Sequence, residues 1–177
     1  MRITAGSLRG RVLSIPNIEG LRPTPAKVRQ ALFNILGPID DVRFLDLFSG
    51  SGVMALEAIS RGARSALSVE QNRRLTRDME QIRQDWGISD SWQIKTAAAD
   101  KALMQMAGEH FDLIFADPPY QQEFTEKLPL WLDEFSISCE QLIIEESARV
   151  KPLWPAGWIC QQSRPYGDSC LHFLTRK

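Results

Sequence analysis

The fold is decided by Arg43-Phe44-Leu45-Asp46-Leu47-Phe48-Ser49-Gly50-Ser51-Gly52-Val53-Met54-Ala55. A short apolar run reads as a buried strand, Arg43–Phe48. The glycines then allow a tight turn into a helix, Val53–Arg61. The same alternation continues downstream. Strands are expected at Ala66–Glu70, Trp92–Ala97, Phe111–Ala116, Gln141–Glu145, Trp158–Gln162 and Ser169–Thr175, with helices at Arg73–Trp86, Lys101–Met106 and Glu123–Phe135. Near-continuous apolar strands separated by helices imply an α/β fold with a seven-stranded, mostly parallel sheet covered on both faces. Only Arg164-Pro165-Tyr166-Gly167-Asp168 separates the last two strands, so they should form an antiparallel hairpin at one sheet edge.

Upstream the texture changes. Arg2–Ala5 and Arg11–Ile15 are short alternating pieces set off by Gly6 and Gly10, the pattern of a β-hairpin. Thr24 reads as an N-cap with Pro25 in the first helical position. Val28, Leu32 and Ile35 then give an amphipathic helix over residues 25–36, ended by Gly37-Pro38. The chain thus divides into a basic hairpin and helix, residues 1–40, and a sheet region, residues 41–177.

Charge follows that division. Residues 1–30 carry Arg2, Arg9, Arg11, Arg22, Lys27 and Arg29 against Glu19 alone, a net +5. The other 147 residues hold 15 basic and 21 acidic groups, a net −6. A basic arm on an acidic body suits one face meeting a polyanion, and equally a solvated hairpin that happens to carry arginines. With 177 residues, 44% hydrophobic and 24% charged, the chain can bury a core without disulfides or metals. Its three cysteines lack C-x-x-C spacing and its two histidines suggest no ligand set, so no metal site or nucleophilic triad is expected. No run is long and apolar enough to span a membrane, and the first residues lack the apolar core of a secretory signal. A cytoplasmic protein is expected.

Open α/β sheets bind ligands outside the carboxyl ends of their strands, and acids gather there. Asp46 lies in the first strand, Glu70 ends the second, Asp100 follows the third and Asp117 the fourth. Gly50-Ser51-Gly52-Val53-Met54-Ala55 fits G-x-G-x-x-[GA], with Glu70 twenty residues beyond Gly50. That pattern formally allows a nicotinamide dinucleotide. A pyrophosphate, however, would be opposed by Asp46. S-adenosylmethionine carries an ammonium and a sulfonium, which Asp46 would favour, and its adenosine suits Glu70 at the ribose and Asp100 at the adenine amino group. On their own, Gly50 and Gly52 also suit a plain tight turn, and Asp100 a helix N-cap.

Asp117-Pro118-Pro119-Tyr120 follows the most hydrophobic strand. Two prolines withhold N–H donors and fix the backbone, so this loop presents acceptors. Such a loop suits an exocyclic amine attacking a methyl donor, because positive charge grows on its nitrogen in the transition state. Tyr120 offers a flat face for an extruded base.

Phe44-Leu45-Asp46-Leu47-Phe48-Ser49-Gly50-Ser51-Gly52 with Asp117-Pro118-Pro119-Tyr120 resembles the Rossmann-like class I methyltransferases that act on exocyclic amino groups. Those motifs also fit adenine-N6 DNA or RNA methyltransferases. Arg2-Ile3-Thr4-Ala5-Gly6, Arg9-Gly10-Arg11, Leu21-Arg22-Pro23-Thr24 and Val28-Arg29-Gln30-Ala31-Leu32-Phe33-Asn34 are similar to the RsmD family, which methylates guanine N2 in bacterial 16S ribosomal RNA. The resemblance implies that Asp46, Phe48, Gly50, Ser51, Gly52, Glu70 and Asp100 surround S-adenosylmethionine. It implies that Asp117, Pro118, Pro119 and Tyr120 hold the target base, and that Arg9, Arg11, Arg22, Lys27 and Arg29 face the RNA. The implied partner is 16S ribosomal RNA or the assembling small subunit, with the enzyme acting as a monomer.

Overall fold

A computed structural model describes residues 1–14, 24–119 and 124–177. Its elements are α1 (Ala26–Leu36), β1 (Arg43–Leu47), α2 (Val53–Ser60), β2 (Ser65–Glu70), α3 (Arg73–Asp85), β3 (Trp92–Thr96), α4 (Ala99–Gln105), β4 (His110–Ala116), α5 (Phe124–Glu134), β5 (Ser138–Ser147), β6 (Trp158–Tyr166) and β7 (Ser169–Arg176). The seven strands form one sheet in the order β3-β2-β1-β4-β5-β7-β6. The first five pair in parallel, and β7 runs antiparallel between β5 and β6. The strand order reverses between β1 and β4, so the crevice for a ligand opens at their carboxyl ends.

Alternation along each strand divides the core. Phe44, Phe115 and Ile143 face the side holding α1 and α2, while Leu45, Ile114 and Ile144 face the side holding α4 and α5. The expected hairpin does close the sheet, but β5 and β6 run further than their apolar stretches. Pairing of Ser147 with Ser169, and of Tyr166 with Ser169, carries the ladder into polar sequence. Pro165 is tolerated because β6 is an edge strand. Among the described residues no helix is long and apolar enough to cross a membrane.

The amino-terminal arm differs from the two strands expected there. Among the described residues its ladder is one antiparallel bridge, Arg2 to Val12, supported by hydrogen bonds from Ile3 N to Arg11 O and from Leu13 N to Met1 O. The arm gains its order from α2 instead. Leu8 N donates to Ser60 Oγ at 2.9 Å, and Ser7 N to Ser60 O at 2.7 Å. A side chain at Gly6 would meet the Ser60 carbonyl oxygen at 1.6 Å, so only glycine permits this approach. Ile3, Leu8 and Leu13 join the core cluster of α1 and α2.

Two expectations about α1 are corrected. Thr24 does not cap it; Pro25 holds the cap position without a side-chain bond, and the Thr24 hydroxyl donates to Glu145. Arg29 is not at the surface facing RNA. It is 2% exposed, and its guanidinium donates to Glu57 (3.4 Å), the Thr24 carbonyl (2.7 Å) and the Arg2 carbonyl (2.8 Å). Glu57 is itself fully buried, and accepts further bonds from Thr4 N, Thr4 Oγ1 and Arg61. A buried arginine survives because this carboxylate and two carbonyls replace its water.

Candidate active site

β1 delivers Asp46 to the reversal point, and the chain then turns sharply. Phe48 adopts a positive φ of 59°, uncommon for a bulky residue, and its ring lies 5.2 Å from that of Phe124. Ser49 N is held by Val69 O, and Gly52 N by Ser49 O. Gly52, at φ 73°, has Trp92 and Met79 where a side chain would be, at 2.5 and 2.7 Å. Its place is set by packing, and it stands outside the cavity wall, whereas Phe48, Gly50 and Ser51 line it.

The cavity measures about 1070 Å³. Asp46, Glu70, Asp100 and Asp117, the acids expected at the strand ends, all reach its wall. Glu70 is fixed by two backbone donors, Gly50 N at 2.9 Å and Asn72 N at 2.8 Å, one on each carboxylate oxygen. Its remaining lone pairs can take hydroxyls. Asp100 lies in the first turn of α4 rather than at the cap, which is Ala98. Pro118 and Pro119 line the mouth beside Asp117. Tyr120 and Arg22 lie outside the described residues. Arg9, Arg11 and Lys27 are exposed, and Arg11 stacks 5.1 Å from the Trp86 ring centroid.

Two further acids join them that the sequence pattern does not single out. Glu145 ends the apolar core of β5, carrying the same signal as the other four, and Asp168 arrives in the β6–β7 turn. Thr24 also lines the wall, brought there by Arg29. Six carboxylates thus surround the cavity, and among its described lining residues there is no Lys, Arg or His.

Burial dominates the electrostatics. Asp46 is 1% exposed, and loss of water lifts its carboxyl from 3.8 to about 8, although Ala55 N and Ser49 favour the charged form. Burial likewise lifts Asp117 to about 8, followed by repulsion from Glu145, Asp46 and Glu146, while Thr24 opposes the shift. Glu145 is raised by burial, against hydrogen bonds from Ser169 and Thr24. An opposite charge placed beside such carboxyls would favour their ionised forms. At the opposite end of the sheet, His110, Asp112 and Glu140 bring donor atoms within 4.8 Å of one another, a grouping that spacing along the chain does not announce. Asp112 already accepts from Arg43 N, and His110 Nδ1 pairs with Ser138 Oγ.

A family model described as "Conserved hypothetical protein 95" matches residues 1–175. The chain belongs to that family, the RsmD family. It is 33% identical over 172 residues to "Ribosomal RNA small subunit methyltransferase D" of Haemophilus influenzae, covering 94% of this chain and 89% of that protein. The protein of the same name from Escherichia coli K12 is 29% identical over 181 residues, covering 100% and 90%. Among solved structures, "Putative methyltransferase yhhF from Escherichia coli" superposes with a TM-score of 0.87 at 30% identity, covering 100% and 98%. The family's fold is therefore the Rossmann-like methyltransferase fold, with its hairpin at the sheet edge.

Proposed function

We propose that this chain transfers a methyl group from S-adenosylmethionine to the exocyclic N2 of a guanine in small-subunit ribosomal RNA. The observation that carries the reading is the cavity with six carboxylates and no cationic side chain among its described lining residues. A dinucleotide pyrophosphate would be repelled there, whereas an ammonium and a sulfonium relieve the buried acids. The volume, about 1070 Å³, accommodates the cofactor and one base together. The names of the family relatives point to ribosomal RNA of the small subunit.

When bound, S-adenosylmethionine supplies an electrophilic methyl group. Asp46 would stand beside its charged portion, Glu70 would take the ribose hydroxyls and Asp100 the adenine amino group. Asp117 and the Pro118 carbonyl accept hydrogen bonds from the acceptor nitrogen, and these strengthen as that nitrogen becomes positive. Orientation of the two partners supplies most of the remaining acceleration. Arg9, Arg11 and Lys27 offer exposed charge to the RNA backbone.

The test is methyl transfer from labelled S-adenosylmethionine, offered in parallel to undermethylated small subunits, naked 16S RNA and duplex DNA. N2-methylguanine in ribosomal RNA is the expected product. Label confined to DNA adenine would overturn the substrate while leaving the donor site in place.

A further inference from the structure

The parallel register of β4 and β5 sets Ala116 opposite Ile144. The residues that follow, Asp117 and Glu145, therefore emerge side by side at the carboxyl edge, both on the cavity wall. Asp46 stands on the neighbouring β1, with Phe115 as its partner. Glu146 lies on the other face of β5, bonded by Thr125 Oγ1 at 2.6 Å, and Asp168 closes the wall from the β6–β7 turn. Arg29, a cation among the described residues of the same neighbourhood, is engaged by Glu57 and by two carbonyls.

Thr24 joins the two carboxyl groups. Its hydroxyl donates to Glu145 Oε2 at 3.3 Å, and the same side chain shares the cavity wall with Asp117, whose charged form it favours. A hydroxyl has one proton to give. While it donates to Glu145, a bond to Asp117 requires a proton on Asp117; when it turns to Asp117, the proton must sit on Glu145. Both arrangements close with one carboxyl proton for the pair. We propose that Asp117 and Glu145 share a single proton across the Thr24 hydroxyl, so that Glu145 acts as a positioning residue that sets the ionisation of Asp117. This rests on the reading of Asp117 as the acceptor of the target amine.

The raised values of both carboxyls agree with the pairing. It also balances the reaction. When the nitrogen–methyl bond has formed and the sulfur–methyl bond has broken, the sulfonium charge is gone and the nitrogen must lose one proton. Asp117 receives it in the arrangement where the Thr24 hydroxyl turns to Asp117 and the shared proton sits on Glu145. The pair is then neutral, and returns one proton to water through the cavity as product leaves.

The test compares wild type with E145Q, which keeps the shape and a hydrogen bond but cannot ionise. Carboxyl 13C titration of the cofactor-free full chain reads the pair without any need for activity. Wild type should show Asp117 and Glu145 titrating together in two steps, and E145Q a single Asp117 step moved down by at least one pH unit. In parallel, the acid limb of the E145Q methyl-transfer profile should move to lower pH with KM for RNA unchanged. Independent one-step titrations in wild type, or an unmoved Asp117 midpoint in E145Q, would overturn the pairing. Should E145Q fail to fold, the wild-type titration alone decides. Absence of methyl transfer by wild type would instead remove the functional reading, and the titration would still judge the pair.

Discussion

Asp46 and Asp117 carry the same chemical group on one cavity wall, Asp46 fully buried and Asp117 half-buried, and the proposed reading gives them different roles. Asp46 sits within β1, where burial penalises its charge, and in the proposed reading a cationic donor beside it would offset that cost. D46N removes that charge without changing shape. At pH 8 the cofactor-free D46N protein should unfold at a higher temperature than wild type, while its affinity for S-adenosylmethionine falls at least about tenfold, or 1.4 kcal/mol. Calorimetry for both quantities checks this. Asp117 follows β4 and is proposed to meet the acceptor. D117A should lower turnover by a factor of about 10² to 10³ with cofactor affinity nearly unchanged, measured by single-turnover transfer and titration. A large loss of cofactor affinity in D117A would move this residue to the donor side. Both aspartates are legible in the sequence because an acid inside or just after an apolar run is costly to bury unless a ligand or partner meets it. Glu145 carries the same signature, but the acid pair Glu145-Glu146 reads locally as the polar end of a strand.

Among the elements, the amino-terminal arm shows where local reading stops. Arg29 lies on the face of α1 that packs inward, and nothing near it in sequence announces Glu57, 28 residues away on α2. The side-chain hydroxyl of Thr24 likewise resembles a helix cap until β5 brings Glu145 within reach, 121 residues on. The strands and helices of the sheet region are legible because their apolar spacing is local; the arm is not, because long-range hydrogen bonds and not its own ladder hold it. This separates two kinds of basic residue. Neutralising Arg9, Arg11 and Lys27 together should weaken RNA binding and flatten its salt dependence, by about 0.7–0.9 in logarithmic slope for each phosphate no longer neutralised. R29M should leave that slope alone but destabilise the fold by about 2–4 kcal/mol, since the buried Glu57 keeps only Arg61 as counter-charge and the Thr24 and Arg2 carbonyls lose their donor. Filter binding over a salt series and denaturant unfolding distinguish the two. A steep slope retained by the triple variant would make the arm a structural element only.

At the scale of the whole molecule, the crowded acids give the protein an unusual dependence on pH. The Asp46 and Asp117 carboxyls titrate near 8 in the folded chain against 3.8 when free. Folded protein therefore holds protons that unfolded protein has released, and the stability they confer, full below pH 3.8, is lost as pH climbs towards 8. His172 acts in the opposite sense, its value lowered chiefly by burial, so its contribution grows as pH rises to 6.5 and is then complete. Between pH 6.5 and 8 the acids decide. The unfolding midpoint of the cofactor-free protein should fall over that interval, by about 2–4 °C for each kcal/mol lost, and saturating S-adenosylmethionine should reduce the fall. A midpoint that rises would contradict the electrostatics of the cavity.

The stacking of Arg11 on Trp86 has a consequence of an optical kind. Trp86 follows α3 at the edge of the arm, half-buried, with the guanidinium 5.1 Å from its ring centroid. A cation held over an indole perturbs its emission, and a phosphate that draws the arginine away removes the perturbation. If the arm takes RNA as proposed, the colour of one indole registers the encounter, and the protein carries its own dye at the place where substrate first arrives.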